Sequence, residues 1–362
     1  MSDDTRRTSR KFAQKAATDA DQVEAVAFRD GVARVGDGLT DELIAGAPMA
    51  EESEIPHNPN GNAEWLDDDA LVEVATGGVA DELLRRAELL GPEYPFDLSP
   101  DGSHLEYRSE RSKSGAYEFC LALCETPHDI NKLPHCRAVR EFDRFVGRAL
   151  AGHFGPGTEF YRFGVPGEPE DRRPGKIGDA IRELGRRTRG EWEFTQRLGR
   201  DAQADQGDGG IDIVVWKPFG STDDRIGIPF VLAQCGCGEQ ALQETKWQDL
   251  QLAKFERKYN VRVASASDGV IRYFALPYHL PDSARWRAAL GAGGVVLDRI
   301  RLTWMAETYL NREEDVARLR PHTDSLLSPL VHTKKPVTPP AKPAVKKRRP
   351  SPGAAGRRSP PE

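Results

Sequence analysis

The sequence contains no stretch approaching eighteen consecutive apolar residues among its 362 positions, so it predicts no membrane span. Its first residues, MSDDTRRTSRKFAQKAATDADQ, carry charge without an apolar segment behind it and do not read as a secretory signal. Cysteine is scarce. Five of them, an odd number, speak for a reducing cytoplasm rather than a disulfide framework. Gly-x-Gly-x-x-Gly and Gly-Lys-Ser/Thr phosphate loops are missing, which argues against a nucleotide-driven motor, and no internal repeat is found.

What the chain does have is charge, unevenly spread. The formal net charge is −6, with charged residues making up 30% of the chain and apolar residues 38%. Acid is concentrated in the first third, at Glu51–Glu54 and Asp67–Asp69. From Thr333 to Glu362 there are nine Lys or Arg and one acid. Net charge governs solubility, whereas a local basic segment sets affinity for polyanions. The Pro/Lys/Arg tail over 331–362 lacks the apolar area to fold alone and reads as disordered. Its cluster Lys346, Lys347, Arg348 and Arg349 is a candidate for sequence-independent nucleic-acid binding.

Residues 1–62 are polar, read as largely loose, with a short hairpin over 23–35 turning at Asp30-Gly31. An α-rich region is expected over 63–130: a helix from about Glu64 to Leu90 capped by Gly91, and a second over 115–127 stopped by Pro127. The clearest amphipathic helix spans 134–154, where Val139, Phe142, Val146, Leu150 and Phe154 recur at helical spacing. A strand at Glu159–Phe163 and a helix at about Ile177–Arg187 follow. Next come strands at Ile211–Trp216 and Ile228–Cys235, and a helix from about Glu239 to Tyr259. Strands at Val261–Ala264, Ile271–Leu276 and Val295–Leu302 precede a last helix to about Arg320. Over 131–325 this order predicts an α/β domain, a mixed sheet flanked by helices.

Within GDGGIDIVVW, residues 207–216, an acid stands at the head of a core strand. In extended chain Asp212, Val214 and Trp216 share one face, and in PFVLAQCGCG Phe230, Leu232 and Gln234 share one. If the two strands pair, Gln234 comes beside Asp212. Buried polar groups are expensive when isolated, so two at matching strand ends suggest a site. On the next helix Leu242, Lys246 and Leu250 are spaced by four, which puts a lysine in an apolar row, either snorkelling outward or meeting an anion. On the 134–154 helix Asp143 flanks the apolar stripe, whereas Glu141 is expected to point away.

This element order, with DGGID (208–212) and AQC (233–235), resembles the PD-(D/E)XK nuclease superfamily, the restriction-endonuclease-like fold, in its Mrr-like branch. In that branch a Gly-Gly-Ile-Asp strand is followed by one ending in Gln-x-Lys. Here Asp212 and Gln234 match, while Gly236 stands at the lysine position and Lys246 would serve in its place. The resemblance implies phosphodiester hydrolysis, in DNA or alternatively RNA, assisted by Mg²⁺ or Mn²⁺. Asp212 would be the principal metal ligand, Gln234 a weaker one and the main-chain carbonyl of Cys235 a third. Asp143 would hold a second metal or orient a ligand water, and Lys246 would stabilise phosphate charge or position the water. Asp208 is a supporting candidate. A cytoplasmic role in restriction or defence against phage, with a protein partner or oligomer, is implied too. The rival is a nuclease fold without turnover, serving as a DNA-binding or assembly subunit.

Other signals carry less. Cys235-Gly236-Cys237 lacks a second pair and reads as small buried apolar side chains. Cys120, Cys124 and His128 share a helical face, with His135 and Cys136 beyond, and read as core cysteines with exposed histidines. Glu239 and Glu244 read as a helix cap and a solvent-facing acid, and the arginines of 182–192 as a solvated face.

Overall fold

The computed structural model describes residues 3–39, 63–125, 135–164, 175–197, 209–220, 222, 225–237, 250–265, 270–281, 286–287, 290–291 and 294–327. Residues 1–327 cluster as one compact unit. In chain order the elements are α1 (Asp3–Asp30), β1 (Val32–Arg34), α2 (Ala63–Leu90), β2 (Phe96–Leu98), β3 (His104–Tyr107) and α3 (Ala116–Glu125). Then come α4 (His135–Phe154), β4 (Glu159–Arg162), α5 (Ile177–Arg187), β5 (Trp192–Phe194), β6 (Ile213–Trp216) and β7 (Phe230–Cys235). Last are α6 (Leu252–Tyr259), β8 (Val261–Val263), β9 (Ile271–Ala275), β10 (Val295–Leu297), α7 (Arg299–Tyr309) and α8 (Arg312–Leu327). The class is mixed α/β. None of the helices, among the described residues, is long and apolar enough to cross a membrane.

Five strands form the central sheet in the order β10-β9-β7-β6-β4. β6 runs antiparallel to both β4 and β7, whereas β9 runs parallel to β7 and β10 parallel to β9. Alternation sends Ile213, Val215, Val231, Ala233 and Cys235 to one face, beneath Phe142, Val146 and Leu150 of α4 and Leu302 and Met305 of α7. The opposite face presents Val214, Trp216 and Leu232 to Ile181 and Leu184 of α5 and to Phe255 and Tyr259 of α6. α5 obeys its helical stripe closely, burying Ile177, Ala180, Ile181 and Leu184. α4 approaches the sheet because Gly147 has no side chain: a Cβ there would lie 2.4 Å from the Phe160 ring.

Several expectations need correcting. Residues 3–30 are helical and only 32–34 are strand, so the expected hairpin over 23–35 and the loose reading of 1–62 both fail for this stretch. Ala16, Ala20, Val23 and Ala27 form the buried stripe, packing on Ala75, Val79 and Leu83 of α2. Small alanine side chains give little hydropathy contrast, and the stripe escapes a reading based on it. The chain over 295–302 is a strand only to Leu297; Asp298 then caps α7, accepting the Arg301 N–H at 3.1 Å. The last helix is two helices, α7 and α8. β8 joins β5 in a separate antiparallel pair.

A buried ionic cluster ties α1 to α2, α3 and α7. Arg86 and Arg299 are fully buried. Arg86 Nη1 donates to Asp21 Oδ1 at 2.7 Å and Glu24 Oε2 at 2.8 Å, and its Nε to Glu82 Oε1 at 2.9 Å. Arg299 Nη1 and Nη2 reach the two oxygens of Asp21 at 2.8 and 2.9 Å. The Tyr94 and Tyr117 hydroxyls donate to Glu24 Oε1 at 2.6 and 2.7 Å. Burial alone would raise the Asp21 carboxyl, but the Arg299 and Arg86 guanidiniums outweigh it and hold the group below its ordinary range.

Candidate active site

Gly209 and Gly210 lead into β6 with φ of 66° and 84°, a left-handed turn that glycine adopts without penalty. A Cβ on Gly209 would also press 2.7 Å from the Phe255 ring. The turn delivers Asp212 to a junction of three strands. Its carbonyl accepts the Phe163 N–H at 2.6 Å and the Gly164 N–H at 3.0 Å, and its N–H donates to the Ala233 carbonyl at 3.1 Å. Its carboxylate Oδ2 accepts the Cys235 N–H at 2.8 Å. The acid of GDGGIDIVVW thus closes the ends of β4 and β7 around the head of β6.

Asp143 comes to the same place from α4. It is 5% exposed, and Oδ2 accepts the Arg162 Nε–H at 2.9 Å. Gly164 stands where these groups converge. A Cβ on Gly164 would lie 3.2 Å from Asp143 Oδ2, 3.4 Å from Asp212 Oδ1 and 3.4 Å from Arg162 Nη2. Two carboxylates and a guanidinium therefore face one gap at the end of the sheet. Cys235 borders them: its thiol hydrogen-bonds Asp143, and burial, then the negative charge of Asp143 and Asp212, pushes that thiol well above its ordinary range. It stays protonated, donating rather than accepting.

Gln234 is placed differently. The β6–β7 ladder ends at Ile213 opposite Ala233, so Gln234 follows opposite Asp212, as the pairing of the two strands predicts. Yet Gln234 leaves β7 on the face opposite Cys235, the face of Leu232, and away from α4. It is 3% exposed, and its Oε1 has no hydrogen-bond partner among the described residues. The structure therefore brings Asp143 and Asp212 together, with Gln234 opposite Asp212 across the β6–β7 ladder. Cys235 takes part through its N–H and thiol. Lys246, Asp208, Glu239, Glu244, and the tail residues Lys346, Lys347, Arg348 and Arg349 lie outside the described residues.

Glu141, expected to point away, is 5% exposed: its carboxylate takes Arg144 at 3.1 Å and Arg148 at 3.0 Å. A neighbouring arginine on each side lets the helix bury an acid off its apolar stripe. Of the two cysteines on α3, Cys120 is fully buried, its thiol pushed up to about 12 by burial, and Cys124 donates to the Pro277 carbonyl at 3.3 Å. Arg162 and Gly164 were missed by sequence reasoning. The signal for Arg162 was like the one that singled out Asp212, a charged residue at the end of a strand of the central sheet.

The donor chemistry of the gap suits a hard divalent cation. Mg²⁺ takes oxygen ligands, keeps several waters and needs only one or two carboxylates from the protein. Asp143 Oδ2 and Asp212 Oδ1 border the gap, and among the described residues no group of three His, Cys, Asp or Glu is placed to hold a metal ion. No protein-family model, curated protein or solved structure matches the chain.

Proposed function

We propose that the chain is a metal-dependent nuclease of the PD-(D/E)XK type, with a restriction-endonuclease-like fold, hydrolysing phosphodiester bonds in DNA. The observation that carries this reading is the shared gap at Gly164, bordered by Asp143 from α4 and Asp212 at the head of β6. The element order on which the resemblance rests supports it: α4, β4, β6, β7, α6 and β9 follow one another, with four of these as neighbours in one mixed sheet. Asp212 and Asp143 would hold the metal. A bound Mg²⁺ or Mn²⁺ polarises a phosphate and lowers the pKa of an attacking water. The Cys235 N–H, bonded to Asp212 Oδ2, fixes which carboxylate oxygen faces the gap. A basic tail adds salt-sensitive attraction for the DNA backbone. A cytoplasmic role in restriction or anti-phage defence, alone or with a protein partner, follows from the resemblance.

A second reading, a nuclease fold without turnover that binds DNA or assembles with a partner, is favoured by Gly236 at the lysine position. The deciding experiment is incubation of supercoiled plasmid, linear duplex, single-stranded DNA and RNA with Mg²⁺ or Mn²⁺, beside an Asp212→Ala variant and an EDTA control. Cleavage abolished in both controls supports the enzyme. DNA binding without cleavage, unchanged by Asp212→Ala, sinks it in favour of the binding subunit.

A further inference from the structure

The gap at Gly164 holds a cation of the protein's own. Arg162 ends β4 with its side chain 9% exposed, Nε on Asp143 Oδ2 at 2.9 Å and Nη2 facing the point that Asp143 and Asp212 also border. A nearly buried guanidinium paired with one carboxylate beside a second is more than a surface ion pair, because it has surrendered most of its hydration. The position where the Mrr-like pattern has its lysine holds Gly236, which brings no charge. We propose that Arg162 is a positioning residue that competes with the divalent cation for Asp143. It balances the carboxylates while the site is unloaded, and it turns to the substrate phosphate once Asp143 takes the metal. The inference rests on the nuclease reading and deepens it.

The charge arithmetic fixes the sign. Two positive groups that share Asp143 repel each other across a few ångströms of partly desolvated space, which weakens metal binding. A guanidinium freed from Asp143 offers planar N–H donors that suit phosphate oxygens. Arg162 therefore lowers metal affinity and raises turnover. An arginine that merely held Asp143 in place would do the opposite to metal affinity, since its loss would let the carboxylate wander.

Calorimetric titration of the full chain with Mn²⁺ alone separates the two, with DNA cleavage measured in parallel. Arg162→Gln is expected to bind Mn²⁺ at least about tenfold more tightly than the unaltered protein while cleaving DNA at least about tenfold more slowly. Arg162→Lys, which keeps the charge, is expected to stay within about threefold of the unaltered affinity. Equal or weaker binding by Arg162→Gln overturns the proposal. An Asp212→Asn variant tells its failure from that of the nuclease reading: if Asp212→Asn binds Mn²⁺ as the unaltered protein does, the metal centre itself is refuted. Should Arg162→Gln not fold, nitrogen-15 spectra of the unaltered chain give the answer. The Arg162 Nε–H signal, assigned by its loss in Arg162→Lys, is expected to shift on Mg²⁺ addition, and a signal that stays in place overturns the proposal.

Discussion

Two clusters of buried charge lie in this molecule, and they are built to different rules. Around Arg86 and Arg299 the groups are closely paired: two guanidiniums meet the three carboxylates Asp21, Glu24 and Glu82, with two tyrosine hydroxyls donating to the remaining Glu24 oxygen. At the end of the central sheet, two carboxylates and one guanidinium converge on the point beside Gly164, which among the described residues no other side chain is shown to occupy. A closed cluster joins elements, whereas an open one keeps a place for something the chain does not itself supply. The closed cluster spans α1, α2 and α7, distant in sequence, and it holds the amino-terminal helix onto the rest of the unit.

Breaking the closed cluster should cost most. Arg299→Met leaves Asp21 buried with part of its compensation gone, and a loss of about 3–5 kcal/mol is expected in urea unfolding. A loss below about 1 kcal/mol would mean that water reaches the cluster and that the contrast is overstated. The open site should answer in function rather than stability. Gly164→Ala puts a methyl group into the gap, without positive φ at that position to strain the backbone. Metal-dependent cleavage should fall roughly ten- to hundredfold with the thermal midpoint little changed, since small displacements of reacting groups are that costly. Cleavage at the unaltered rate would move the chemistry elsewhere.

Asp212→Asn tests the same contrast from the stability side. Asparagine keeps an acceptor for the Cys235 N–H, so unfolding should shift by less than about 1 kcal/mol. A loss as large as that of Arg299→Met would make Asp212 another structural acid. A further test concerns pH. Glu125, at the edge of the closed cluster, is raised from 4.5 to about 8 by burial, then by the charge of Asp21. A carboxyl raised on folding favours the folded state fully below about 4.5, and that contribution is lost as pH rises towards about 8. Stability should decline with pH across this window, and Glu125→Gln should flatten the decline. An unchanged slope would place Glu125 in water.

Helices α4 and α5 were legible because their apolar residues recur every three or four positions, and the structure sets α5 at the expected 177–187. β6 and β7 were legible as short apolar runs after a glycine turn, and Asp212 stood out as an acid where a core strand begins. Helix α1 was hidden by its alanines. The closed cluster was invisible, since nothing near Asp21 in sequence announces Arg299, 278 residues away.

The sequence by itself determined α4, β4, α5, β6, β7 and β9, their order, and the acid at the head of β6. Each of these depends on neighbours within a turn or a strand. It also determined that Gln234 and Cys235 face opposite ways, because side chains alternate along an extended chain. Only the tertiary structure decided which of those faces α4 would cover, and hence that Asp143 meets Cys235 rather than Gln234. The same packing set Arg162 against Asp143, 19 residues earlier in the chain. Such meetings follow from strand register and from which helix packs on which face, and these are settled by burying both faces of the sheet at once.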